Sequence, residues 1–405
     1  MFERFEAAQL PTREFLDAVA TTPLPRDATA VIDEIRALEE IKCAAEARQA
    51  RLALVLDEQR DSGAHAEIAL ARRISPHRGR QVLALARVLH ELPHTRAAFD
   101  TGLISEWRAT LIARETACLT LEDRQAIDEQ IAADGVALSR RGDREITSFV
   151  IREAARRDAA SVARRRRRAE SGRRVTIRPA PDTMVYLTAL LPVAQGVAAF
   201  AALRQAAATA IGTGEATNQG QAMADELVRR ATGTVTGQPV GLRLTMPAET
   251  LLGGSDAPAD LGLHGPIPAE LARLLVAESL EAGNKVWLKR LFQQPGSGEL
   301  IAMDSHARLF PRSLAEFLEL RDQWCRNAYC GARIKHFDHV EPRANDGPTS
   351  DLNGQGLCED CNQTKESPGW RSVPERAGPG RRHTVTTITP TGHSYRSVSR
   401  AGQRL

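Results

Sequence analysis

Residues Cys325–Trp370, CRNAYCGARIKHFDHVEPRANDGPTSDLNGQGLCEDCNQTKESPGW, decide how this chain is read. The stretch holds four of the six cysteines, as a C-x4-C pair (Cys325, Cys330) and a C-x2-C pair (Cys358, Cys361). Two close-set pairs have the spacing of a tetrahedral Zn²⁺ site, each pair pinning one knuckle while the metal joins the two. Unrelated thiols and disulfides are the competing readings. Disulfides are disfavoured because the chain opens MFERFEAAQL, without an apolar signal segment, so a reducing cytoplasm is the expected setting.

Between and beyond the knuckles lie Asp338, His339, Asn353, Asn362 and Lys365. Phosphodiester hydrolysis needs a general base for water and a hard cation against the charge developing on the phosphate. His339, with an ordinary pKa of about 6.5, is neutral and proton-accepting at physiological pH. Asp338 offers a carboxylate oxygen and Asn362 a side-chain carbonyl oxygen, both suited to Mg²⁺ or Mn²⁺. Two such ligands leave octahedral positions for water and a substrate phosphate. A lone histidine is ordinarily structural; the neighbouring Asp and the two downstream Asn residues point to catalysis.

D-H-V-x-P (Asp338–Pro342), N-x3-L-C (Asn353–Cys358) and C-N-x2-K (Cys361–Lys365) together resemble the HNH endonuclease motif in its four-cysteine zinc form. The resemblance implies a ββα-metal fold, a two-stranded ribbon and a helix around one catalytic divalent ion. It makes His339 the general base and Asp338 and Asn362 the metal ligands. It also has Asn353 brace the loop that positions the base, and puts Lys365 within reach of a substrate phosphate. Gly347-Pro348 departs from the Gly-Gly of many relatives, which alters a turn and not the chemistry.

With 405 residues, 42% of them hydrophobic, the chain is long enough for two or three domains with buried cores. The net charge is only +3, so positive charge is local rather than global. Almost all of it is arginine, the only lysines being Lys42, Lys285, Lys289, Lys335 and Lys365. Arginine suits bidentate phosphate contacts, and in so alanine-rich a chain it also fits codon bias. The uncharged run Thr183–Leu203 contains Pro192 and Gln195 and reads as a strand followed by a buried helix, not a membrane span.

Taken in order, 1–27 is a proline-punctuated arm and Thr29–Arg60 a long amphipathic helix holding Cys43 as a core residue, as Cys118 is further on. A helix from His65 to Arg73 stops at Ile74-Ser75, and Ser75 caps the next helix, which has Pro76 at its first position. Further helices follow Pro93 and Ser105. With Arg72, Arg73, His77, Arg78 and Arg80 at the junction, this segment reads either as a helix-turn-helix for the major groove or as a plain bundle with solvated arginines. The spacing A-L-A-R-R-I-S-P, L-P, G-L-I-S-E-W is similar to the DNA-binding region of ParB-type partition proteins.

Gly142–Arg168 reads as one helix ending in Arg164, Arg165, Arg166, Arg167 and Arg168, which either clamp a phosphate backbone or form a solvated helix end. VTIRP and MVYLTAL form a β-hairpin, followed by Ala-rich helices broken at Gly212–Gly214 and stopped at Gly233, then a strand over Pro239–Pro247. Gly253–Pro268 is a loop. A helix (Pro268–Glu281), a strand pair (Val286–Phe292, Glu299–Met303) and the helix Ser313–Trp324 lead to Cys325. HTVTTI and HSYRSV form a terminal hairpin.

RRVTIRPAPD, QAMADELVRRATG, GPIPAELARLL and RDQWCRNAYC resemble the domain-of-unknown-function 222, or 13E12 repeat, family, in which a helical N-terminal region precedes a C-terminal HNH module. The expected fold is therefore α+β, a mainly helical N-terminal region with a C-terminal zinc-stapled ββα-metal module. The expected division is a helical domain (1–160), a small α+β domain (161–252), a connecting segment (253–312) and the HNH module (313–405). The expected activity is metal-dependent endonuclease cleavage of DNA, with Arg78, Arg164–Arg168 and Arg343 as nucleic-acid contacts and no membrane partner. The rival is a DNA-binding or regulatory protein with an inactive zinc-stapled module; retention of Asp338, His339, Asn353 and Asn362 argues against decay. RNA ranks below DNA, since no aromatic-rich sheet for base stacking is visible.

Overall fold

Apolar residues recurring every three to four positions shape the first part of the chain, and the computed structural model folds it into successive helices. The structure describes residues 12–233, 243–281, 310–375 and 382–399. The chain divides into two units, Met1–Val55 with Ala84–Ala159, and Leu56–Leu83 with Ala160–Leu405. The helices run α1 (Thr12–Thr21), α2 (Ala28–Glu58), α3 (Ala64–Arg72), α4 (Pro76–Val88), α5 (Pro93–Asp100), α6 (Glu106–Thr116), α7 (Leu121–Ala132), α8 (Gly135–Ser139) and α9 (Asp143–Arg157).

The first unit is a helical bundle. Along α2, Cys43, Ala47, Ala50 and Ala53 form the buried stripe, and burial pushes the Cys43 thiol up to about 11. Phe99, Ile112, Ile127, Leu138, Ile146 and Val150 are each at most 1% exposed and fill the centre. Helix starts are capped as composition demands. Ser105, Thr120 and Asp134 accept from Arg108 N, Asp123 N and Ala137 N. α5 begins at Pro93 instead, and its first amides are satisfied by buried Asp128, which accepts from His94 N (2.7 Å) and Thr95 N (3.0 Å).

The expected single helix over Gly142–Arg168 is two. Asp158 (φ −142°, ψ 80°) ends α9, and α10 (Ala159–Ser171) starts afresh with the arginines. Asp is a weak helix-interior residue because its side chain competes for backbone groups. Beyond it, β1 (Arg174–Pro179) and β2 (Val185–Leu190) pair antiparallel from Arg174↔Leu190 to Pro179↔Val185. The turn places Asp182 and Thr183 at positive φ. α11 (Val193–Gly212) and α12 (Gln219–Thr232) pack on each other, and Gly233 closes α12 at φ 77°. α11 is not the buried helix expected: Val193, Val197 and Phe200 are 57–81% exposed, and Ala207 is its buried residue. Among the described residues no helix is long and apolar enough to cross a membrane.

The expected strand Pro239–Pro247 lies partly outside the described residues; of it, Thr245 bridges Asp260. After α13 (Ala248–Leu251), the expected loop Gly253–Pro268 contains a ribbon of two short strands, β3 (Ala259–Asp260) and β4 (Pro266–Ile267), which packs under α14 (Ala269–Glu281). The strand pair expected over 286–303 lies outside the described residues. Then come α15 (Arg312–Asp322), β5 (His336–His339), β6 (Gly354–Leu357), α16 (Glu359–Lys365), β7 (Arg371–Glu375), β8 (Thr384–Ile388) and β9 (Ser394–Val398). β5 and β6 make the antiparallel ribbon. The terminal hairpin gains β7 as a third strand; Pro374 is tolerated because β7 is an edge.

Buried charge ties these pieces together. Asp322 pairs with Arg321 (2.8 Å) and Arg326 (3.4 Å), all three at most 3% exposed. Arg321 also donates to Gly354 O at 2.7 Å, and Asp322 accepts from Gly356 N at 2.8 Å. Arg326 donates to His383 O and Ser397 O (3.2 and 3.1 Å), reaching the terminal sheet. Burial, then the charges of Arg321 and Arg326, push the His383 imidazole down to about 3. An imidazole lowered from about 6.5 contributes stability that is full above pH 6.5 and is lost as the pH falls toward 3. The full effect is on the order of 5 kcal/mol. Denaturant melts of the second unit should thus weaken between pH 7 and pH 5, and His383→Gln, though less stable at pH 7, should show a shallower fall. Parallel pH slopes would contradict this.

Candidate active site

Two knuckles bring the four thiols to one point. In the first, Tyr329 and Gly331 take positive φ (both 61°), which turns the chain back so that Cys325 N reaches Ala332 O at 2.8 Å. In the second, Cys358 caps α16, its Sγ accepting from Cys361 N at 3.5 Å. The four sulfurs lie within 4.8 Å of one another; Cys330 and Cys358 Sγ are 3.7 Å apart. Tetrahedral Zn–S bonds of about 2.3 Å require sulfurs about 3.8 Å apart, so the set fits this ion. Hydrogen bonds from the Cys325, Cys330 and Cys361 thiols hold Cys358 below its usual range, favouring the thiolate that a metal takes. Asn327 Nδ2 donates to Cys361 Sγ at 3.3 Å, an outer hydrogen bond that orients a ligand sulfur.

The other predicted residues come from β5, the loop before β6, and α16. His339, at the end of β5, is 7% exposed and lies beside the Phe310 ring at a centroid distance of 4.8 Å. Its Nε2 is 2.9 Å from Thr349 Oγ1, while Nδ1 is 3.9 Å from Asp338 Oδ1. Which partner donates in this bond is set by the imidazole tautomer; with the proton on Nε2, Nδ1 carries the lone pair. Burial pushes the imidazole below its usual value, with Asp338 acting against this and the charges of Lys365 and Arg343 adding to it.

Asn353, 2% exposed, joins both sides of the loop after β5. Its Oδ1 accepts from Glu341 N at 2.8 Å, and its Nδ2 donates to Glu341 O (3.0 Å) and Pro348 O (2.8 Å). Gly347 has to be glycine here, since a Cβ would sit 2.0 Å from Glu341 O and 2.8 Å from Asn353 Nδ2. On α16, which packs against β5, Lys365 Nζ reaches Asp338 Oδ2 (2.6 Å), His339 O (2.8 Å) and Glu366 Oε1 (3.0 Å). Asn362 Oδ1 is buried with no hydrogen-bond partner among the described residues. A buried carbonyl left so costs about 1–3 kcal/mol, and a hard cation is a partner that such an oxygen suits.

Arg343 is exposed on the loop near His339. Arg78 lies on α4, bonded to Gln81 Oε1 at 2.9 Å. Arg164–Arg168 lie on α10; Arg166 pairs with Glu170 at 3.2 Å, and Arg164 bonds Ser161 Oγ. These two groups belong to elements outside the ββα module. Thr349, Asn327 and Phe310 were missed in sequence, because nothing in their spacing marks a hydroxyl, an amide or a ring that acts by touching another residue.

A zinc-type thiol cluster beside a ββα unit carrying Asp-His, Asn and Asn defines an HNH-type nuclease module, and the HNH endonuclease family model matches residues 325–367. The model for a domain of unknown function, DUF222, matches residues 30–322. The chain belongs to the DUF222 family and carries an HNH endonuclease domain at its C-terminal end. Neither a curated protein nor a solved structure matches it. Because closed thiolate sites contribute folding free energy directly, elemental analysis should find one tightly held metal ion per chain. Cys358→Ser should release it and unfold the module; an ordered module without metal would contradict the site.

Proposed function

We propose that this chain is a DNA endonuclease that holds one structural Zn²⁺ on Cys325, Cys330, Cys358 and Cys361 and one catalytic Mg²⁺ or Mn²⁺ on Asp338 and Asn362. The observation that carries the proposal is the orphaned Asn362 Oδ1, on the helix whose Lys365 lies 2.6 Å from the Asp338 carboxylate. When bound, the divalent ion supplies Lewis-acid neutralisation of the charge developing on the phosphate.

The chain's own residues do the rest. His339 accepts the proton of the attacking water at Nδ1, and Thr349 fixes the ring from the Nε2 side. Asn353 keeps the loop closed under the base. Lys365 reaches a substrate phosphate by giving up Glu366, the most exposed of its three partners at 61%. Duplex DNA is favoured over RNA because aromatic residues are 4% of the chain, too few for a base-stacking surface. Arg343, Arg78 and Arg164–Arg168 supply phosphate contacts.

His339→Ala should lower the rate of plasmid nicking by roughly two to four orders of magnitude while leaving metal content and DNA affinity in place. Nicking at the parental rate would remove His339 as the base. Replacing Arg164–Arg168 together by Ala should weaken DNA binding for every sequence and flatten its salt dependence, each lost phosphate contact changing the log–log slope by about 0.9. Superimposable salt titrations would make α10 a solvated face.

A further inference from the structure

Part of the helical region is built into the nuclease unit. Ala66 and Leu70 on α3, 1% and 2% exposed, close a core with Trp370, flanked by Ala328 of the first knuckle and Tyr395 of β9. Gly63, at φ 80°, lets α3 start against that ring; a Cβ there would meet Trp370 Nε1 at 3.1 Å. Glu67, 5% exposed, accepts from Thr391 Oγ1 at 2.8 Å and pairs with Arg60 at 2.8 Å. Gly79 lets α4 cross α3 closely, since a Cβ would stand 2.2 Å from His65 O.

This packing aims two side chains at one carboxylate. His65 Nε2, from α3, lies 3.3 Å from Asp360 Oδ1, and Arg80 Nη2, from α4, bonds the same oxygen. Asp360 is in the first turn of α16, a seven-residue helix carrying Cys361, Asn362 and Lys365. A helix this short does not hold itself, so its pose is set by its attachments. Asp360 and Asn362 are about 200° apart around the helix, so a grip on Asp360 comes from the side away from Asn362 and presses the asparagine face toward β5. The Cys361 thiol fixes one point and the Lys365 contact with Asp338 a second. Asp360 is the third, and three points fix both tilt and rotation.

We infer that the α3–α4 pair is a clamp on the catalytic helix, with His65, Arg80 and Asp360 as positioning residues for Asn362 and Lys365. The inference rests on the nuclease reading above and gives this part of the DUF222 region a task in it. Breaking an outer hydrogen bond behind a metal ligand costs roughly 10- to 100-fold in metal affinity or activity. Arg80→Gln and Asp360→Asn should each raise the Mn²⁺ dissociation constant, read by electron paramagnetic resonance without DNA, by that factor. They should lower kcat for nicking with KM for DNA unchanged. The double variant should be no worse than either single one, Arg80→Lys should recover most of the loss, and zinc content should stay constant.

Hydrogen exchange over 359–365 should speed up in both single variants, a readout that does not need the nuclease reading to hold. If the wild-type chain bound no Mn²⁺ and cut nothing, the nuclease reading would fall and exchange in α16 would still judge the clamp. Unchanged exchange and unchanged Mn²⁺ affinity in both single variants would overturn the inference. So would a rise in KM with kcat intact, which would make Arg80 a DNA contact.

Discussion

Four buried sulfurs within 4.8 Å of one another are the constraint on which the C-terminal module depends. Its ribbon strands β5 and β6 have four residues each and α16 has seven, lengths that do not form stable structure alone in water. What orders them is closure through the knuckles, which sets the end of β6 and the start of α16 by way of Leu357, Cys358 and Cys361. The buried pair of arginines around Asp322 adds a second closure, from α15 through β6 to the terminal sheet. Breaking one partner of such a network leaves an uncompensated buried charge, so these residues specify one arrangement.

The site depends on this frame rather than on itself. Asp338 and His339 are the last two residues of a strand, Asn353 stands just before its partner, and Asn362 and Lys365 share a helix face. Asn362 Oδ1 is left without a hydrogen-bond partner among the described residues, whereas Asp338 Oδ1 accepts from His339 N and Asp338 Oδ2 pairs with Lys365 Nζ. Thr349 contacts His339 at Nε2, and Asn353 closes the loop beneath it through Glu341 and Pro348.

Much of this was legible in the sequence wherever chemistry is tied to spacing. The cysteine pairs, the Asp-His step and the Ser75-Pro76 helix start are local signals that the fold keeps. Gly233 likewise marks a helix end at positive φ. Spacing is silent where meaning comes from long range. Asp158 breaks a run that periodicity joins into one helix. β7 has no alternation strong enough to show before its partner β8 is in place. Exposure of α11 could not be read either, because an alanine-rich helix looks buried by composition alone. Nothing in the arginines near Ser75 distinguished one that would face DNA from Arg80, which turns to a carboxylate 280 residues away.

The central claim, that the module cuts DNA with a divalent ion distinct from the thiolate-bound metal, is tested most directly by one assay. Purified full-length chain is incubated with supercoiled plasmid in Mg²⁺ or Mn²⁺, before and after a chelator dose that leaves the thiolate metal in place by elemental analysis. The account predicts nicking with either ion, loss of nicking on chelation, and recovery on adding the ion back. No nicking from zinc-loaded, folded protein in either ion, or nicking indifferent to the chelator, would contradict it.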